Sequence, residues 1–262
     1  MPSHSVIPIY KPLGMTPLQA LYVLQRVKPE LHNKTLAYAG RLDPMAEGLL
    51  LVLVGDECKK REQYQMLPKT YEVTVLFGFA TDTYDALGLI TDRAKKLPSD
   101  IDGEFSATLP TLIGKFDQAY PPYSSVRVKG KPLFYWAREG LLDTITIPTK
   151  SIEITKISLL TSGVHTSEEL LSLIIHKIEL ISGDFRQDKI LSKWRKDLTI
   201  ATQHFPFITI RVNSTHGAYM RSLAHEIGKK IDVPALTLSI KRLSVGEFLS
   251  EDALVIPSPA VS

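Results

Sequence analysis

Gly40-Arg41-Leu42-Asp43-Pro44-Met45-Ala46-Glu47-Gly48-Leu49-Leu50 runs without a break into Leu51-Val52-Leu53-Val54-Gly55. The second half, from Gly48 to Gly55, is a continuous apolar run bounded by glycines, which predicts a central strand buried on both faces. The first half is a loop held by Gly and Pro, with one carboxylate at the entrance to that strand. Proline fixes the backbone just after Asp43, and Gly40 and Gly48 leave room for close approach of a ligand. A carboxylate so placed is either a turn-former or a positioned catalytic group, and on local evidence alone the turn-former leads.

Working outward, Ile7–Met15 reads as a short strand followed by a Pro/Gly turn. Thr16–Val27 has helical spacing, with Leu18, Leu21, Val23, Leu24 and Val27 apolar, Thr16 as N-cap and Pro17 at the first helical position. Tyr71, Val73, Val75 and Phe77 alternate as one face of a strand. Ala80–Gly88 reads as polar loop, and its Asp82 and Asp85 lack the spacing of a calcium loop, which makes them loop hydrogen-bonders. Phe207–Val212 predicts another strand, and Ala218–Ile231 a helix with Leu223, Ile227 and Ile231 on one side. Between them, 161–204 reads as a helical hairpin. Thr166 and Glu169 have the form of a capping box. Leu170, Ile174, Ile178 and Ile181 repeat at helical spacing, Gly183 ends the first helix, and Leu191, Trp194 and Leu198 mark the second. Its six basic and six acidic residues balance. The tail after Val255, rich in Pro and Ser, is expected to fray.

With 262 residues, 44% of them apolar and 23% charged, the composition is that of an ordinary globular protein. No apolar run is long enough to span a bilayer. The opening MPSHSVIPIYKP lacks the pattern of a signal peptide. Cys58 is the single cysteine, so a reducing, cytoplasmic setting is expected. The net charge is +3, but its distribution is uneven. Lys115–Arg138 carries five basic residues against one acid, and Phe205–Val245 six against two. Such clusters suit approach to a phosphate backbone, but on charge alone a solvated basic face is the better reading. There is no Walker loop, dinucleotide glycine fingerprint, HExxH or nucleophile elbow. No histidine stands at metal-ligand spacing.

The loop around Asp43 resembles the signature of the TruB-type pseudouridine synthases, roughly G-x-L-D-P-x-A-x-G-x-L. Further blocks resemble the same family in the same order. Lys11-Pro12-x-Gly14-Met15-Thr16 is similar to its opening K-P-x-G-x-[ST] element, and Lys69-Thr70-Tyr71 to its K-x-Y motif. Thr81-Asp82-Thr83-x-Asp85-x-x-Gly88 resembles the segment that follows, and Pro121–Gly140 the RNA-contacting thumb. Gly217-Ala218-Tyr219-Met220-Arg221 resembles G-x-Y-[IM]-R, and Ile240-Lys241-Arg242-Leu243 an L-R-R-L-like element. Any one block is weak; the ordered set, spanning most of Ile7–Phe248, is specific.

The resemblance implies an α+β fold: a mixed, mainly antiparallel sheet flanked by helices, with the cleft across its middle. It implies isomerisation of uridine to pseudouridine in the T-loop of tRNA, with no cofactor and no metal. Asp43 is then the catalytic carboxylate, acting by covalent addition or through a proton transfer, with Arg221 paired to it. Tyr71 is a further catalytic residue, stacking on the target base and accepting a proton late in the reaction. Gly40, Leu42, Lys69 and Ile240 line the substrate site, and Arg127 and Lys129 of the thumb contact phosphates. Three departures stand out. Ala37-Tyr38-Ala39-Gly40 replaces the family's G-H-[TS]-G start, leaving Tyr38 as the candidate to stack on RNA where the family has histidine. The 161–204 segment reads as an insertion in a single 1–262 catalytic domain, dispensable for chemistry. Nothing after Phe248 resembles the usual C-terminal PUA module. A monomer with tRNA as partner is expected, and no membrane. The rival readings are an RNA-binding or tRNA-folding chaperone with a disused site, and a glycoside hydrolase built on Asp43 and Glu47.

Overall fold

The computed structural model describes residues 5–199 and 203–258. The first half of the chain forms β1 (Val6–Lys11), α1 (Pro17–Val27), β2 (Leu36–Ala39), β3 (Ala46–Val54), α2 (Arg61–Met66) and β4 (Lys69–Phe77). A small hairpin, β5 (Phe79–Thr81) and β6 (Ile90–Arg93), leads to α3 (Ile101–Leu112) and β7 (Gly114–Ala119). A second hairpin, β8 (Arg127–Val128) and β9 (Lys131–Pro132), precedes α4 (Leu133–Arg138) and β10 (Thr149–Thr166). Then follow α5 (Ser167–Glu179), α6 (Gln187–Thr199), β11 (His204–Ser214), α7 (Met220–Ile231), β12 (Ala235–Val245), β13 (Phe248–Leu249) and β14 (Leu254–Val255).

Ten strands form one sheet in the order β14-β1-β3-β12-β4-β11-β10-β7, with β2 added on β3 and β13 on β12. Parallel pairing joins β1 to β14 and β12 to β3; the remaining pairs are antiparallel. This is the mixed, mainly antiparallel, helix-flanked sheet that the resemblance implied. β3 has no wet face. Its Leu50 and Val52 pack with Ala20, Leu21 and Leu24 of α1, while Leu49, Leu51 and Leu53 pack on the other side with Val245. Hence its apolar run is continuous rather than alternating. β4 turns Tyr71, Val73, Val75 and Phe77 toward α3 and α7, and Leu76 toward the opposite face. The α1 cap is as read: Thr16 and Gln19 form a capping box, although Leu18 points to solvent at 50% exposure. α7 begins at Met220, later than Ala218.

The 161–204 segment needs one correction. Residues 161–166 are not helical; they complete the long strand β10, and Thr166 pairs with His204. That stretch, TSGVHT, has no apolar alternation to betray a strand. The helical pair packs its apolar stripes into the core. Leu170, Ile174 and Ile178 of α5 and Ile190, Leu191, Trp194 and Leu198 of α6 are buried against Leu76, Phe79, Phe205, Leu236 and Leu238. Trp194 is fully buried, packs edge-on to Phe79 at 5.1 Å, and donates its indole N–H to the Ala86 carbonyl at 3.1 Å. Trp194→Ala is therefore expected to cost about 3–5 kcal/mol, to be read from urea unfolding midpoints. A loss under about 1 kcal/mol would show that α6 is not part of the cooperative core. Residues 200–202 of this segment, residues 259–262 of the tail that was expected to fray, and residues 1–4 of the opening stretch lie outside the described residues. Val255, after which fraying was expected, is paired with Tyr10.

Candidate functional site

The loop between β2 and β3 is pinned by its own backbone. Ala46 N–H donates to the Asp43 carbonyl at 3.0 Å, and Gly14 N–H, from the turn after β1, donates to the Pro44 carbonyl at 2.9 Å. Gly40 takes φ +79° and Gly48 φ +106°. The room that Gly48 leaves serves the fold rather than a ligand: a Cβ there would stand 2.8 Å from the backbone nitrogen of Arg242 on β12. Gly40 faces the side chains of Arg242 and Lys69, at 3.6 and 3.7 Å from where its Cβ would be.

Asp43 so held meets Arg221 in the first turn of α7. Arg221 Nε–H donates to Asp43 Oδ2 at 2.9 Å. Its other nitrogens donate to the Thr83 carbonyl at 2.8 Å and the Tyr123 carbonyl at 3.3 Å. The guanidinium is 5% exposed while the Asp43 side chain is 37% exposed, so the cation is the buried anchor and the carboxylate the accessible group. A second carboxylate shares it: Asp85 Oδ2 lies 3.7 Å from Arg221 Nε. Asp85 also accepts from the Thr83 hydroxyl at 2.7 Å and Leu87 N–H at 2.9 Å. Burial pushes the Asp85 carboxyl up to about 6, against the pull of Arg221 and Thr83 and with a further push from Asp43. Burial alone would lower the Arg221 pKa, but Asp43 and Asp85 together hold it above its ordinary value.

Beneath the loop lies a buried cationic floor. Lys11 is fully buried and donates to the Met15 carbonyl at 2.7 Å and the Pro12 carbonyl at 2.9 Å. Burial pulls it down to about 7, opposed by Asp43 and aided by Arg242. Arg242 is 1% exposed and donates to the carbonyls of Leu49 at 2.7 Å and Arg41 at 3.1 Å. Lys69, expected at the substrate, is turned inward onto the carbonyls of Gln65 and Leu67, and burial, then Arg242 and Lys150, lower it to about 8. Its geometry is that of a strut under Gly40.

Leu42, Tyr71 and Ile240 belong to one apolar cluster, an apolar wall that begins beside Asp43 in the chain. No hydrogen bond to the Tyr71 hydroxyl is formed among the described residues. Tyr38 is elsewhere: it packs on the α1 side of the sheet and carries the Arg61 guanidinium over its ring at 5.5 Å. No hydrogen bond, ion pair or ring contact joins it to the Asp43 constellation among the described residues. Arg127 and Lys129 lie exposed on the β8–β9 hairpin, their donors on the carbonyls of Gly130 and Thr144. They too make no contact with Asp43, although the thumb is tied to the signature loop by a hydrogen bond from Arg41 to the Ser125 hydroxyl. Sequence reading missed Asp85 as a partner of Arg221. It missed Lys150 and His216 as well: a Cβ on Gly217 would strike the Lys150 ammonium, and burial, then Lys150 and Lys69, push the His216 imidazole down. The signal for Asp85 was present, since a loop carboxylate in a T-D-T-x-D run invites a cation, but no spacing rule points to Arg221 so far along the chain.

Residues 28–182 match the model of the TruB family pseudouridylate synthase, N-terminal domain. The chain is 30% identical over 246 residues to a protein named tRNA pseudouridine synthase B from Lactobacillus acidophilus, covering 94% of this chain and 69% of that one. It is 28% identical over 262 residues to the protein of the same name from Caldicellulosiruptor saccharolyticus, covering 96% and 74%. Among solved structures, a chain of a Cbf5–Nop10–Gar1 complex superposes with a TM-score of 0.57 at 17% identity, over 95% of this chain. This chain spans about half (51%) of that one, and the likeness concerns the fold.

Proposed function

This chain belongs to the TruB family of pseudouridylate synthases, and on that footing we propose that it isomerises a uridine in the T-loop of tRNA to pseudouridine, with Asp43 as the catalytic carboxylate. The observation that carries the assignment is the 2.9 Å ion pair between accessible Asp43 and buried Arg221; Leu42, next to Asp43 in the chain, shares an apolar cluster with Tyr71 and Ile240. Arg221 aims the carboxylate through a charge-assisted hydrogen bond, and it is itself fixed by two backbone carbonyls.

The reaction breaks the N1–C1′ bond, turns the uracil, and joins C5 to C1′. The C5 proton is lost and N1 gains one, so nothing is oxidised or hydrolysed. A base inside folded RNA must leave its stack to reach Asp43. The wall of Leu42, Tyr71 and Ile240 suits the face of an unstacked uracil, with the Tyr71 ring as the stacking surface. Lys150, Arg41 and the thumb's Arg127 and Lys129 supply positive charge for the surrounding phosphates. We place the protein in the cytoplasm as a monomer.

Incubating the protein with an unmodified tRNA transcript and mapping pseudouridine tests the reading. A single pseudouridine in the T-loop is expected. Accelerated tRNA folding without any pseudouridine would instead favour a chaperone with a disused site.

A further inference from the structure

The connection from α5 to α6 places one side chain against the machinery just described. Arg186 donates from Nη1 to Asp82 Oδ2 at 2.8 Å and from Nη2 to Asp82 Oδ1 at 3.4 Å. Its guanidinium carbon lies 4.5 Å above the centre of the Tyr123 ring. Asp82 is next in the chain to Thr83, and it is the carbonyls of Thr83 and Tyr123 that accept from Arg221. One guanidinium thus grips both segments whose backbone holds the other.

We propose that Arg186 is a positioning residue for the Asp43–Arg221 pair, clamping the Asp82 loop to the Tyr123 segment so that their carbonyls fix the Arg221 guanidinium. The inference rests on the function proposed above.

Three observations separate this contact from an incidental surface pair. First, exposed ion pairs contribute little, but this one is fork-like and its side chains are 24% and 22% exposed. It also carries a ring contact on one guanidinium face. Second, Arg186 takes φ +65°, a backbone conformation unfavourable for a residue with a Cβ. The surrounding connector enforces it: Phe185 N–H donates to Gln187 Oε1 at 2.8 Å, and Gln187 Nε2–H bonds back to the carbonyls of Ile181 and Gly183. Third, the same helical pair holds the Asp82 loop at a second point. Trp194 of α6 donates to the Ala86 carbonyl, so Thr83 and Asp85, both in contact with Arg221, lie between one anchor from the α5–α6 connection and one from α6. Asp82 in turn closes its own loop by accepting Leu89 N–H at 2.8 Å. The family match covers residues 28–182, so Asp82 and Tyr123 lie within the matched domain and Arg186 just beyond it.

The test compares full-length wild type, Arg186→Ala, Arg186→Lys and Asp82→Asn on an unmodified tRNA transcript. Single-turnover rate at saturating tRNA, tRNA affinity and thermal melting are measured on each. Arg186→Ala is expected to slow the saturated rate at least about tenfold, since small misplacements of a catalytic group cost that much or more, with affinity changed by less than about threefold. Arg186→Lys should recover part of the rate, because it keeps the charge but loses the fork. Asp82→Asn should move the rate in the same direction as Arg186→Ala, and it carries the test should Arg186→Ala not fold. A saturated rate per folded molecule equal to wild type overturns the inference. So does weakened tRNA affinity with an unchanged saturated rate, which would make Arg186 an RNA contact. Wild type that forms no pseudouridine overturns the proposed function itself, an outcome distinct from an active wild type with an equally active Arg186→Ala.

Discussion

Asp43→Asn is expected to abolish pseudouridine formation while leaving the protein folded and able to bind tRNA. Asparagine has the shape of aspartate and retains an oxygen to accept Arg221 Nε–H, so the geometry around the guanidinium should survive. What disappears is the negative charge and the basicity of the one carboxylate in the cluster that is accessible: Asp43 is 37% exposed, whereas Asp85 is 7% exposed and its oxygens are engaged by Thr83, Leu87 and Arg221. Asp85 is therefore not placed to take over. The expected loss is roughly four to six orders of magnitude in single-turnover rate, as when an enzyme loses the residue around which its chemistry is built. tRNA affinity should change by less than about threefold, and the melting temperature by no more than a few degrees, because the substituted side chain is partly in water. Pseudouridine mapping and melting on the same preparation read both. Turnover within about tenfold of wild type in a folded variant would sink the catalytic assignment and leave Asp43 as the turn-former that its local sequence equally suggests.

That ambiguity marks where sequence reading works here and where it stops. Short-range chemistry was legible. Thr16 and Thr166 each form the capping box their neighbours announce. The Gly48–Gly55 run is the two-sided buried strand, and the Tyr71–Phe77 alternation faces one cluster. The pairing of Asp43 with Arg221 came from the resemblance alone, because 178 positions separate the partners and no periodicity links them. Charged residues were the least legible. Lys11, Lys69 and Arg242 look like surface cations on composition, yet all three are buried and bonded to backbone carbonyls. A motif can say that a cation is needed without saying which way it points. Tyr38 was read from its aligned position alone, and its neighbours in space, the α1 cluster and Arg61, were not visible in the sequence. The 161–166 stretch escaped because a strand with polar residues on both faces leaves no period to detect.

Arg221→Met is expected to reduce the saturated rate by at least roughly a hundredfold, the scale of losing one preorganised charge-stabilising donor, with tRNA affinity nearly unchanged. A phosphate contact would show the reverse: weaker binding, a shallower salt dependence, and a wild-type rate once the RNA is saturating. Stability supplies an independent reading. Methionine fills much of the arginine's volume but leaves Asp85 buried without its cation, and removing one partner of a buried pair costs about 3–5 kcal/mol. The penalty must depend on pH in one direction. The Asp85 carboxyl already titrates near 6 because burial outweighs Arg221. An acid raised in the fold above its unfolded value detracts nothing from stability below the unfolded pKa of 3.8, and lowers stability progressively as pH climbs through its folded pKa. Without the guanidinium the folded pKa rises further, so the ionised state becomes more costly in the variant than in wild type. The melting gap between the two proteins should therefore be widest near about pH 8 and narrow toward about pH 5, as Asp85 takes up its proton in both. A gap that stays constant across that range would mean that Arg221 stabilises the fold through packing and its two carbonyl bonds, with the shared carboxylates incidental.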